Sequence, residues 1–462
     1  MIRLFRVSIP ASVLSLVFGD AVLLFGFYLL GAYLGLGDYA EFYLLDEGGL
    51  GKIAVVVALI QAGLYFQDLY DLVRRGYLYL VQHLCVIVGA AFLLQAVFGY
   101  GRWPIQLHKW VMVDGSLLTL TLLPLWRMGF RVLVRKAMPT ERILFIGSSM
   151  ALKRIAARLS ENPGLGLAAI GYLDDAEEIP EEPFPVQRLG GLCDLKAVVE
   201  QMRPGRIVVG KTERRGRLPI EQLLELRLGG IHIEEAAVMY ESVLGRISST
   251  DLRPSQLVFS TEMGPRQRNV HLQTVYSLIL GSVGLLVSLP IMAVVAVLVK
   301  ATSAGPVFYR QTRVGLRGVP FEVLKFRSMY SNAEASTGAV WAIKGDPRIT
   351  PVGRWLRQLR LDELPQFVNV VRGEMAVAGP RPERPEFCKV LEEQIPFYRQ
   401  RHSVKPGITG WAQINHSYAD TIEDSITKLE YDLYYIKNLT PSLDAYIIFH
   451  TFKVMLLSRG SR

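Results

Sequence analysis

Residues 358–366 read QLRLDELPQ, which sets Asp362 and Glu363 side by side just ahead of Pro365. Two adjacent carboxylates can hold a divalent cation, attack a phosphorus, or simply open a helix. The helix macrodipole favours acids at such a start, and proline is tolerated in the first turn because its missing N–H has no intrahelical partner there. Local physics alone therefore asks for no catalysis. The surroundings ask for more. From Thr302 onward the chain is dense in Gly, Pro and Arg, with Lys325, Arg327, Arg354, Arg357, Arg360, Arg372, Arg381, Arg384, Arg401 and Lys405. A guanidinium fork meets phosphate oxygens at two points, and loops on a rigid scaffold are where such groups are usually placed.

The elements that must carry these residues divide by hydropathy. The chain has 462 residues, half of them hydrophobic, with a mean hydropathy of +0.27. Its long apolar runs fall in the first 130 residues and once more at 275–299. Ala11 to Leu36 is apolar except for Asp20, long enough to cross a bilayer, and too long for a cleavable signal. Further spans are expected at 53–66, 77–98 and 110–126, the last holding Asp114. Arg3 and Arg6, Arg74 and Arg75, and Arg127, Arg131, Arg135 and Lys136 flank alternate ends, whereas the first intervening loop is acidic. The positive-inside rule then puts both ends of a four-helix transmembrane bundle, 1–137, in the cytoplasm, with Arg102 and Lys109 as a mild exception.

Residues 138–255 change texture. RILFIGSS (142–149), AAIGYLDD (168–175), RIVVG (206–210) and IHIEEA (231–236) read as strands separated by helical stretches, the pattern of a parallel α/β sheet with Rossmann-like winding. The first turn lacks the G-x-G-x-x-G spacing that brings backbone against a pyrophosphate, so a structural or regulatory domain is expected rather than a nucleotide site. A linker, 256–270, leads to the apolar segment 275–299. Basic residues flank it on both sides, and Pro290 can bend it. It reads either as a fifth span with a tolerated proline or as a helix that enters, breaks and returns.

The net charge of +9 fits contact with anionic lipid or a polyanionic substrate. No nucleic-acid-binding module is present in the sequence pattern. Cys85, Cys193 and Cys388 lie far apart, which predicts neither a disulfide framework nor a metal site.

From about His271 to Ser458 the chain resembles the bacterial sugar transferases, the polyprenyl-phosphate glycosyl-1-phosphate transferases. The blocks that carry the resemblance are GPVFYRQTRVG (305–315), FEVLKFRSM (321–329), LDELPQFVNVVRGEM (361–375), AGPRPERPEF (378–387), VKPGITGWAQIN (404–415) and YDLYYIKNLTPSLDAYIIFHT (431–451). The whole layout is similar to the long form of the family. The resemblance implies a mixed, mainly α catalytic domain over 271–462 whose segment 275–299 is a re-entrant membrane helix broken at Pro290. The family often has serine directly before this proline; here Leu289 intervenes and Ser288 stands one residue further back. The tail's aromatics are expected either to seat the domain in the headgroup region or to pack against it.

The resemblance further implies transfer of a sugar-1-phosphate from a UDP-sugar to a polyprenyl phosphate on the cytoplasmic face of the bacterial inner membrane. Asp362 would be the covalent nucleophile. Glu363 would either help bind Mg²⁺ or assist the acceptor, with both carboxylates as candidate metal ligands. Arg381, Lys325, Arg327 and Gln413 would bind phosphate or substrate. Membrane lipid and a homodimeric partner are expected, and nucleic acid is not. Two other readings stand beside this one. A membrane-tethered, NAD-dependent nucleotide-sugar dehydratase or epimerase would use 139–255, but lacks both the glycine fingerprint and a Tyr-x-x-x-Lys pair there. A non-catalytic scaffold of polysaccharide export would not need the intact acidic and Gly-Pro-Arg-Pro blocks.

Overall fold

The structure is a computed structural model, and it describes residues 2–4, 6–70, 77–101, 104–137, 140–175, 183–210, 218–249, 252, 264–330, 333, 346–416 and 421–456. Arg74, Arg75, Arg102, most of the expected linker, and the side chains of Arg3, Arg135 and Lys136 lie outside the described residues. The chain forms two compact units. Met1–Leu4 and Ser8–Glu235 make the first; Phe5–Val7 and Ala236–Arg462 make the second. The division falls between Glu235 and Ala236.

In the first unit, helices Ala11–Leu36, Gly49–Phe66, Tyr77–Tyr100 and Lys109–Ala137 bury a shared apolar core that includes Leu16, Leu24, Tyr28, Ile53, Ile60, Leu84, Val111 and Leu123. Each contains a stretch long and apolar enough to cross a membrane. The apolar faces left over, such as Phe18, Leu34, Leu93 and Leu117, are exposed. Asp20, the one charge in the first helix, is fully buried and answered from the last. Arg127 Nε and Trp126 Nε1 each donate to its carboxylate at 3.1 Å, while Arg127 Nη1 reaches the Leu69 carbonyl at 2.8 Å. A lone carboxylate at this depth would be costly, so the pair explains why the helix tolerates it. It also withdraws Arg127 from the flanking charges that the sequence counted toward orientation.

The same unit holds a parallel sheet in the spatial order Arg188–Gly190, Leu167–Leu173, Glu141–Ile146, Arg206–Val209, His232–Glu235. Its central strands are the apolar runs read from the sequence. The short edge strand Arg188–Gly190 was not expected, since RLG carries no apolar run of its own.

In the second unit a single helix, Gln267–Thr302, runs uninterrupted through Pro290. At about 1.5 Å per residue it is roughly 54 Å long, against roughly 30 Å of bilayer hydrocarbon. One stripe is buried: Gln273, Ser277, Gly281, Ser288, Met292, Val295 and Val299. Much of the remaining surface between 275 and 299 is apolar and exposed, including Val275, Ile279, Val283, Leu286, Val287, Ile291, Val294 and Val297. Around the buried stripe the chain places an antiparallel hairpin (Phe308–Val314 with Pro320–Phe326), a parallel pair (Ala376–Ala378 with Gly407–Thr409) and the helices Pro351–Gln358, Gln366–Val371, Pro385–Gln394, Ile422–Asn438 and Pro441–Leu456. Gly281 allows the closest of these approaches, since a Cβ there would lie 2.6 Å from a methyl of Val370.

Candidate active site

The Asp-Glu pair sits in a single 3-10 turn, Leu361–Glu363, between helices Pro351–Gln358 and Gln366–Val371. Arg360 starts this turn with φ of +54°, a conformation that costs a non-glycine residue energy and so calls for compensation by its neighbours. Leu361 and Leu364, on either side of the pair, pack against the cluster of Met292, Val295 and Val299 from the long helix. The carboxylates are thereby held between two leucine anchors. The amides of Glu363 and Leu364 bond to the carbonyls of Arg360 and Leu361 at 3.2 and 3.3 Å. They are spent on the turn, so neither is left to receive a phosphate oxygen.

Lys325 arrives on the hairpin strand Pro320–Phe326, and its position is fixed by Asn369. That asparagine is fully buried in an otherwise apolar run. Its Oδ1 accepts from Leu324 N at 3.0 Å and its Nδ2 donates to Glu322 O at 2.7 Å, tying the strand to the helix that follows the acidic pair. Lys325 Nζ then lies 3.2 Å from Glu363 Oε1. Arg381, from the Gly-Pro-Arg-Pro segment, donates to the same oxygen at 2.8 Å, and Arg360 comes within 4.0 Å of Oε2.

The two carboxyls end in opposite electrostatic states. Burial alone would push Glu363 up, but Arg381, Lys325 and Arg360 together hold it well below the usual carboxylate range. Asp362 is pushed up to about 6 by burial and by the neighbouring Glu363 charge, against the pull of Lys325, Arg357 and Arg381. Burial lowers the Lys325 ammonium, while the Glu363 charge opposes that shift. Glu363 is thus a committed counter-ion. Asp362 is the carboxylate with the less compensated charge, the property wanted in a nucleophile.

The residues singled out from the sequence do not all converge. Asp362, Glu363, Lys325 and Arg381 do. Arg327 is buried and turned to the end of the long helix, where Nη2 donates to the Ser303 carbonyl and hydroxyl, both at 2.7 Å. That contact caps the end of the long helix, while Arg327 Nε and Nη1 are buried without a hydrogen-bond partner among the described residues. Gln413 donates to the Ile408 carbonyl at 3.3 Å, and its buried Oε1 has no hydrogen-bond partner. Pro290 lies inside a continuous helix. Asn369 was missed, although a lone asparagine between valines in QFVNVV was the available signal. Arg357 reached the sequence list only as one cation among many; its Nε donates to Ser328 Oγ at 3.0 Å and its charge acts on Asp362.

Among the described residues no group of three or more His, Cys, Asp or Glu side chains forms a metal cage. Asp362 and Glu363 are nonetheless a donor set that suits Mg²⁺, which commonly takes one or two carboxylates and completes its shell with water and substrate phosphate oxygens. Glu363 Oε1 is already shared by two cations, which leaves Asp362 and Glu363 Oε2 as the oxygens for such an ion.

Residues 268–458 match the sequence profile of the bacterial sugar transferase family. Over 418 residues the chain is 32% identical to a UDP-glucose:undecaprenyl-phosphate glucose-1-phosphate transferase of Xanthomonas campestris pv. campestris, covering 86% of this chain and 85% of that protein. It is 49% identical over 173 residues to a UDP-N-acetylgalactosamine-undecaprenyl-phosphate N-acetylgalactosaminephosphotransferase of Aeromonas hydrophila, covering 37% of this chain and 41% of that protein. A UDP-glucose:undecaprenyl-phosphate glucose-1-phosphate transferase of Escherichia coli K12 is 44% identical over 176 residues, 38% of each chain. The matched region thus spans less than half the length of these last two relatives.

Proposed function

Because this chain belongs to the bacterial sugar transferase family, we propose that it transfers a sugar-1-phosphate from a UDP-sugar to undecaprenyl or a related polyprenyl phosphate, releasing UMP. The observation that carries the reading is the buried Asp362 beside a Glu363 that Lys325, Arg360 and Arg381 hold ionised. The Asp362 carboxylate attacks the sugar-bearing phosphorus. The bond from that phosphorus to the bridging oxygen breaks, and UMP departs with the electron pair. A phosphate oxygen of the polyprenyl acceptor then attacks the same phosphorus, and the bond to Asp362 breaks to restore the carboxylate. Splitting one displacement of anion on anion into two is what covalent catalysis offers here. Arg381 and Lys325 spread positive charge beside the diphosphate, and Asp362 and Glu363 would hold Mg²⁺, which when bound neutralises phosphate charge.

The reading places the long helix as a re-entrant element with both flanks on the cytoplasmic face. Support comes from packing on both sides of Pro290. Gln273 contacts Ala378, and Ser277 accepts from Val377, before the proline; Met292, Val295 and Val299 meet Phe326 and Leu356 after it. Packing of one domain along both halves supports a helix whose two ends stay on one side, an arrangement that requires the continuous helical segment to bend at Pro290. The four apolar helices of the first unit would anchor the protein in the inner membrane as a bundle. The strand order of its sheet, which reverses between Glu141–Ile146 and Arg206–Val209, fits a Rossmann-like domain. A homodimer is part of the same proposal.

The experiment is direct. Membranes holding the full chain are supplied with polyprenyl phosphate, Mg²⁺ and a panel of UDP-sugars that includes UDP-glucose and UDP-N-acetylgalactosamine. UMP released with one of them, and lost in Asp362→Asn, is the expected result. UMP released by Asp362→Asn at the wild-type rate would remove the nucleophile assignment.

A further inference from the structure

Arg381 stands in GPRPER, 379–384, between two prolines. Pro380 and Pro382 have no N–H to donate, so this stretch of backbone is held chiefly through its carbonyls. The structure supplies a donor to one after another. Pro380 O accepts from Gly407 N at 3.0 Å, Pro382 O from Arg313 Nη1 at 3.1 Å, and Glu383 O from Val314 N at 2.9 Å. The Arg381 carbonyl itself accepts from Arg401 Nη2 at 3.0 Å.

Arg401 is 5% exposed, and its own placement is closely determined. Nε donates to Asp432 Oδ2 at 3.1 Å, Nη2 lies 2.9 Å from the same carboxylate, and Nη1 donates to the Tyr398 hydroxyl at 2.5 Å. Asp432 is equally buried and comes from helix Ile422–Asn438. A buried ion pair is seldom retained for stability, because apolar residues of the same volume often serve as well or better. What an apolar pair cannot do is donate to the Arg381 carbonyl. We propose that Arg401, oriented by Asp432, is a positioning residue for Arg381. It fixes the Arg381 peptide plane, and so the direction from which that guanidinium meets Glu363 and the bound diphosphate. Arg401 does not touch substrate, since its head is enclosed by Asp432, Tyr398 and the Arg381 carbonyl.

The inference rests on the transferase reading only in giving Arg381 a diphosphate to face. Its test is a double-substitution comparison on the full chain in membranes. Arg401→Lys keeps the charge opposite Asp432 but lacks the fork that reaches the carboxylate and the carbonyl together. It is expected to lower kcat for UMP release by about 10- to 100-fold, the scale of a small misplacement, with a smaller change in KM for the UDP-sugar. In an Arg381→Ala background the same substitution should cost less than about two-fold, because residues that act through one another are not additive. Equal factors in the two backgrounds would overturn the proposal. Asp432→Asn makes the same comparison, with the same expectation, if Arg401→Lys does not accumulate folded. An Arg381→Ala chain as fast as wild type would overturn this inference while leaving the transferase reading standing, whereas a wild type that releases no UMP would strike that reading and take this inference with it.

Discussion

Asp362 and Glu363 are sequence neighbours with the same chemistry, yet their surroundings give them opposite roles in stability. Asp362 titrates near 6 in the folded chain, above its ordinary 3.8. Folding therefore favours its protonated form. That contribution is fully present below pH 3.8 and is lost as pH rises through the raised folded value, above which the buried ionised group costs stability. Asp362→Asn, measured without Mg²⁺, should raise the melting temperature at pH 8 more than at pH 5 while abolishing turnover. Equal shifts at the two pH values would contradict the burial argument. Glu363 has its folded pKa depressed, so its stabilisation is present above its unfolded value of 4.5 and is lost as pH falls. Glu363→Gln strands Lys325 and Arg381 beside a neutral amide. It should destabilise the chain by about 3 to 5 kcal/mol at neutral pH, seen as a lower melting temperature where Asp362→Asn shows a higher one.

At the scale of elements, the site depends on how closely helix Pro351–Gln358 approaches the strand end at Ser328. A Cβ on Gly353 would lie 1.9 Å from the Ser328 carbonyl oxygen, a backbone atom that cannot swing aside. Gly353→Ala is expected to cost about 1 to 3 kcal/mol, and to slow UMP release by displacing Arg357 from Ser328 and Asp362. Thermal melts and single-turnover rates report the two effects separately, and an unchanged rate would show that Arg357 is not positioned through this contact. Much at this scale was legible in the sequence. The runs at 142–146, 168–173 and 206–209 became strands of the parallel sheet because near-continuous apolar segments, unlike alternating ones, need cover on both faces, and the Asp-Glu block drew attention through its arginines. What was not legible depends on partners far away in the chain. Arg327 and Arg401 look alike in sequence, as cations in a basic stretch, and only packing turns one to a helix end and the other to the Arg381 carbonyl. The edge strand Arg188–Gly190 exists only because Leu167–Leu173 offers it a ladder.

For the whole molecule, the path of helix Gln267–Thr302 decides which side of the membrane the active site faces. Exposed positions near its two ends, Arg268 and Ala301, can each be changed to cysteine in a chain whose Cys85, Cys193 and Cys388 have been replaced. A membrane-impermeant maleimide should label neither in intact spheroplasts and both after permeabilisation. Labelling of one end alone from outside would mean a full crossing. In the first unit, the pairing of Asp20 with Arg127 across residues distant in sequence explains how an acidic residue can sit in an otherwise apolar helix. Asp20→Asn should therefore lower the folded yield in membranes through the uncompensated Arg127, without altering the UDP-sugar preference of the protein that remains.

The proposed transfer turns on Asp362 carrying the phosphosugar between donor and acceptor. The most direct test supplies purified protein with Mg²⁺ and a reactive UDP-sugar labelled in the sugar-bearing phosphate, with polyprenyl phosphate withheld. A burst of one UMP per active chain is expected, with label retained on a peptide containing Asp362 until acceptor is added. UMP that appears only when polyprenyl phosphate is present, with no label on the protein, would contradict it.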